Sequence, residues 1–79
     1  MLYFVLGMKA VVFSPHSYIR LKERYISKEE IVRVIRAPDK RIPARRGRMR
    51  AIKRFGKNEL HVFYRETPRA LMVVTVYWR

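Results

Sequence analysis

The spacing of apolar residues changes at Pro38, and that change restricts the fold more than any other feature of the chain. Between Ser14 and Pro38 the apolar positions recur by threes and fours, and after Pro38 mostly by twos. Those periods belong to helix and strand respectively. Ser14-Pro15 is a helix start, with a hydroxyl N-cap and a proline at the first helical position. The helix is expected to run through about Tyr25, with Tyr18, Leu21 and Tyr25 as its apolar stripe. Ser27 opens a second helix; Glu30 completes a capping box, and Glu29 adds a negative charge that suits the N-terminal dipole. Ile31, Val34 and Ile35 face inward, and Pro38 ends the helix.

Strands flank this pair. Lys9–Phe13 is short and rich in β-branched residues, and Arg48–Phe55, Leu60–Arg65 and Ala70–Trp78 follow the helices. Gly56-Lys57-Asn58 and Thr67-Pro68 are the turns between them. The order is β-α-α-β-β-β, an α+β fold expected to form an antiparallel sheet with two helices packed on one face. No repeat or linker interrupts it, so residues 1–79 make a single domain.

A chain of 79 residues buries little, but five Tyr, four Phe and one Trp supply bulky core material. It has no Cys, and His16 and His61 are its only imidazoles, so disulfides, thiolate sites and a protein-held zinc centre are not expected. No cofactor is implied. Residues 1–7 are apolar, too short to span a bilayer and without a basic leader, and Met8 offers a second start that would make them a dispensable extension. These features point to the cytosol.

Charge narrows the function further. Nineteen Lys and Arg against six acids leave a net +13. Such self-repulsion is relieved by a polyanion, with counterion release as the gain. A membrane surface would need a long helix that is apolar on one side and basic on the other, and none is present. Nucleic acid is therefore the expected partner, RNA more than DNA. The charge concentrates between Arg36 and Arg54, where nine of nineteen residues are Lys or Arg and Asp39 is the single acid. In Arg48–Phe55, alternation puts Met49, Ala51 and Phe55 on one face and Arg48, Arg50 and Arg54 on the other. Arg45, Arg46, Arg48, Arg50, Lys53 and Arg54 are the candidate nucleic-acid-binding residues, a phosphate-tracking face. The plain alternative for such a run is a solvated surface.

The stretch from His16 through Arg20 and Arg24 to Ile26-Ser27 resembles the opening of the family called domain of unknown function 4258. The resemblance continues through the helix ending near Pro38 to the closing Val74-Thr75-Val76-Tyr77. That family in turn resembles the RelE, ParE and BrnT toxins of toxin–antitoxin pairs. The resemblance implies a RelE-like fold, metal-independent endoribonuclease activity on mRNA, and an acidic antitoxin as partner. ParE-like members act on a topoisomerase instead. The sequence reaches Arg79 directly after its last strand, without the C-terminal helix that carries further catalytic residues in RelE-like enzymes.

Metal-free RNA cleavage needs a base for the 2′-hydroxyl, cations for the phosphate and an acid for the leaving oxygen. His16, Arg20 and Arg24, four residues apart, would line one helix face, with His16 in a first turn that favours anions. Tyr64 and Tyr77 fall on neighbouring strands, where a tyrosine can act as the acid or stack on a base; Tyr77 is the candidate, and a core role is expected for at least one of the two. The structural alternative is that His16 buttresses the helix start and Arg20 pairs with Glu23. His61 shares a strand face with Phe63 and Arg65, and a lone strand histidine is usually structural. Three functions follow: a toxin-like endoribonuclease using His16, Arg20, Arg24 and Tyr77; a non-catalytic nucleic-acid-binding module using the Arg45–Arg54 face; and a protein-binding toxin acting on an acidic surface.

Overall fold

Both helices form where their caps stand. In the computed structural model, which describes residues 3–6 and 9–79, the first helix α1 spans Pro15–Glu23. Its N-cap, Ser14, accepts the Ser17 amide at 3.1 Å through Oγ. The second helix α2 spans Lys28–Arg36 behind a complete capping box: the Glu30 amide donates to Ser27 Oγ, and the Ser27 amide donates to the Glu30 carboxylate. Ile31, Val34 and Ile35 are buried as the spacing required.

The first helix ends two residues earlier than expected. The Ile26 amide bonds the Leu21 carbonyl and the Tyr25 amide bonds that of Lys22, the paired bonds of a Schellman stop. This places Tyr25 in the left-handed region at φ 54° and leaves it 93% exposed, so it is not part of the apolar stripe. Leu21 and Ile26 bury themselves across the stop instead.

Six strands form one sheet in the order β1-β2-β6-β5-β4-β3, where β1 is Tyr3–Leu6, β2 Lys9–Phe13, β3 Lys40–Pro43, β4 Arg48–Phe55, β5 Asn58–Glu66 and β6 Ala70–Trp78. The expected α+β class and the two helices on one face hold. The sheet itself is mixed, because β2 runs parallel to β6 and pairs with it from Ala10↔Ala70 to Phe13↔Val73. Tight turns dictate antiparallel neighbours for β4, β5 and β6, but the direction of β2 is set by the crossover through both helices, for which no local turn signal exists. The residues between Pro38 and the basic turn add an edge strand, β3, with Pro43 at its end, where a missing amide donor is tolerated. Tyr3–Leu6 pairs antiparallel with β2 and so belongs to the sheet, while a start at Met8 lies outside the described residues. Among the described residues, no helix is long and apolar enough to cross a membrane.

The core lies between the helices and one face of this sheet. Val11 and Phe13 of β2, Ala51 of β4, Leu60, Val62 and Tyr64 of β5, and Val73 and Val76 of β6 meet Leu21, Ile31, Val34 and Ile35. Arg41 and Lys53 secure the edge of this layer by donating to the Ile35 and Ala37 carbonyls at the C-terminal end of α2.

Candidate nucleic-acid interface

Among the described residues, the opposite face of the sheet carries no helix and holds most of the chemistry-bearing residues. A two-residue connection, Gly56-Lys57, joins β4 to β5, with Gly56 at φ 65° supplying the positive dihedral that such a turn needs at its first central position. The turn sets the register Phe55↔Asn58, and every later pair follows: Arg54↔Glu59, Ile52↔His61, Arg50↔Phe63 and Arg48↔Arg65. Antiparallel partners point to the same side. Arg48, Arg50, Arg54 and Arg65 therefore stand on one surface with His61 and Phe63. On β6 the partners are Tyr77 opposite His61 and Thr75 opposite Phe63. The register shift between Phe63 and Tyr64 leaves Val74 as an extra residue, which keeps Thr75 and Tyr77 on this side while Val73 and Val76 stay in the core.

Aromatic rings run across the face. His61 stacks on Tyr77 with centroids 5.0 Å apart, Phe63 lies 6.0 Å from Tyr77, and the Arg50 guanidinium sits 5.6 Å from the Phe63 centroid. His61 is only 3% exposed. Its Nε2 lies 3.2 Å from a Glu59 carboxylate oxygen, and its Nδ1 is buried with no hydrogen-bond partner. It braces Tyr77 in the layer.

The balance of charge is one-sided. Glu66 pairs with Lys9, Glu23 with Arg20 and Glu59 with Arg54, while Glu30 caps α2 and Asp39 accepts the Arg54 amide. Five of the six acids are thus occupied within the chain. Among the described residues, neither Arg48 nor Arg50 is paired with a carboxylate.

At one corner the surface becomes concave. The link between β3 and β4 makes a short turn, Arg45–Gly47, in which Arg46 and Gly47 both have positive φ, 61° and 70°. The Arg46 carbonyl accepts from the Arg65 guanidinium at 3.2 Å, which holds the turn against β5. Pro43, Ala44, Arg45, Arg48, Arg50 and Phe63 line an open pocket of about 380 Å³. Arg48 lines it with its Nε shielded from solvent and unpaired.

The other sequence candidates lie elsewhere. His16 is exposed at the second position of α1, where Ser14 already takes one of the free amides. Arg20 binds Glu23 at 2.8 Å, as in the structural alternative. Arg24 falls beyond the end of the helix, so the three do not continue along one helical face. Its guanidinium donates to the Val76 carbonyl, past the point where β2 stops covering β6. Tyr77 follows Val76 and stands on the other side of the sheet, so the structure does not gather His16, Arg20, Arg24 and Tyr77 into one site. Lys53 faces the helices, not the arginine surface. Tyr64 is buried, and burial raises its phenol above the ordinary value, with Arg41 opposing and Glu66 adding to the shift. Among the described residues, no group of three or more His, Cys, Asp or Glu could hold a metal ion.

Sequence reasoning puts Phe63 and Arg65 on the face of His61 but gives them no role. The signal is present in Gly56-Lys57: a two-residue turn places Phe63 opposite Arg50 by counting alone.

The family model described as domain of unknown function 4258 matches residues 13–78, and the chain belongs to that family. The comparison with curated proteins found no match, and that with solved structures found none.

Proposed function

We propose that this member of the family is a nucleic-acid-binding module, RNA being the favoured ligand, and that the helix-free face of its sheet is the binding surface. The observation that carries the reading is the pairing of Arg48 and Arg50 with Phe63 and Tyr77 on a face where Glu59 is the one acid at a strand position among the described residues. Guanidiniums neutralise phosphates, and half-buried rings offer stacking surfaces to any base. An acidic antitoxin, the partner that the family resemblance implies, would cover the same arginines, as would the acidic target of a protein-binding toxin.

A toxin-type, metal-independent endoribonuclease is the second reading, and Tyr77 favours it. Its ring stacks on a buried histidine on the same sheet face as Arg48 and Arg50, and a tyrosine can donate a proton to a leaving oxygen while cations hold the phosphate. His16 would act only from the other side of the sheet.

Incubating the full chain with labelled single-stranded RNA in EDTA tests both readings, with Tyr77→Phe and His16→Ala beside it. Binding that weakens steeply with salt is expected, with His16→Ala unchanged. Affinity that ignores salt overturns the nucleic-acid reading. Cleavage lost in Tyr77→Phe supports the nuclease at this face; cleavage lost only in His16→Ala moves it to α1.

A further inference from the structure

We infer that the corner pocket of the arginine face is a one-nucleotide site that takes an unpaired base together with its phosphate, so that the protein selects single strands over duplexes. The inference rests on the nucleic-acid reading above and adds a specific place and ligand to it. The pocket, about 380 Å³, lies in the size range of small-ligand sites, roughly 300–1,000 Å³. Its lining has two parts. Phe63, Pro43 and Ala44 give an apolar wall, and Arg45, Arg48 and Arg50 surround it with cations. A phosphate alone has no use for the ring and the proline, and a purely apolar ligand has none for the guanidiniums. A nucleotide uses both, through a planar base for Phe63 and Arg50 and an anion for Arg45 and Arg48.

Two further features of the same corner fit a site that waits for a ligand. Arg48 lines the pocket while its Nε–H is shielded and without an acceptor, so part of its hydrogen-bonding capacity is unspent. Arg46 is held at φ 61°, a conformation that non-glycine residues seldom adopt, and the Arg65 bond to its carbonyl maintains it. The strain sits in the turn that supplies Arg45 to the pocket. A base in a duplex has both faces stacked and cannot enter, so the selection against duplex follows from the shape.

The test is a titration of the isotopically labelled full chain, followed by backbone amide shifts, with three probes at one salt concentration. These are a single-stranded RNA octamer, the same octamer with every base removed, and the matching duplex. The intact octamer is expected to bind roughly tenfold more tightly than the abasic strand of equal charge, the effect of about one stacked base. Amides of Ala44 to Arg50 and of Phe63 shift with the intact strand and stay largely in place with the abasic one. Phe63→Leu brings the intact strand down to the abasic affinity. Equal affinity for intact and abasic strands, or a duplex that binds as tightly as the single strand, overturns the pocket while leaving the arginine face as a backbone grip. If no RNA binds, or if poly-glutamate alone shifts these amides, both the pocket and the nucleic-acid reading fall. The wild-type comparison decides the matter even if Phe63→Leu does not fold.

Discussion

The two faces of the sheet are made from alternate residues of the same strands, yet they solve opposite problems. On the helix side, Leu60, Val62 and Val76 are fully buried and meet apolar side chains from both helices. On the other side, Arg48, Arg50, Arg54 and Arg65 surround a layer of rings. Of the cations on the helix side, Arg24, Arg41 and Lys53 are each given to a backbone carbonyl, and Lys9 and Arg20 are paired with Glu66 and Glu23. The difference shows how a chain of net +13 stays folded. Charge near the core is spent at helix and strand edges, whereas on the far face Arg48 and Arg50 have no carboxylate partner among the described residues.

Substitutions on each side should separate stability from binding. Leu60→Ala deletes a fully buried side chain from β5 and should cost about 2–5 kcal/mol in denaturant unfolding. A loss under about 1 kcal/mol would mean that the helix side is not the packed layer described above. The double change Arg48→Ala with Arg50→Ala should leave stability within about 0.5 kcal/mol. It should lower the salt slope of single-stranded RNA binding by about 1.4, roughly 0.7 for each phosphate that is no longer neutralised. Lys53→Ala is the control that sharpens the contrast. Lys53 belongs to the same basic run but serves α2, so the slope should not move.

Tyr25→Gly addresses the helix side from its rim. It frees a left-handed position that a tyrosine holds at a cost, so stability should rise by about 1 kcal/mol with RNA affinity unchanged. The smallest effect concerns pH. Burial raises the Tyr64 phenol above its ordinary 10.0, so the folded state keeps a proton that the unfolded chain releases. Stability therefore falls as pH climbs above 10, towards the folded value, and Tyr64→Phe should flatten that fall in alkaline unfolding curves. Tyr77→Phe, on the open face, should not.

Much of the molecule is legible in its sequence. Ser14-Pro15 and the Ser27/Glu30 box mark the helix starts because capping is chemistry between neighbours along the chain. Arg48, Arg50 and Arg54 share a face opposite Met49 and Ala51 because the strand period is two. Tyr25 misleads a reading by spacing, because the pattern of three and four continues past Arg24. The stop depends instead on bonds from Tyr25 and Ile26 back to Lys22 and Leu21. The ladder of His16, Arg20 and Arg24 fails for the same reason: it needs nine residues of unbroken helix from His16 to Arg24, and the helix stops at Glu23.

What the sequence determined alone were local matters: two capped helices, a glycine turn after Phe55 and the side of a strand on which Arg48, Arg50 and Arg54 stand. These depend on contacts a few residues apart, and side-chain period expresses them directly. The tertiary structure decided that β2 joins β6 in parallel, that Arg24 and Lys53 are spent on carbonyls, and that Pro43, Ala44 and Arg45 meet Phe63 along one open pocket. Each of these brings together groups that no turn or period relates. Their meeting follows from burying one apolar face between helices and sheet, a requirement that only the whole chain can meet.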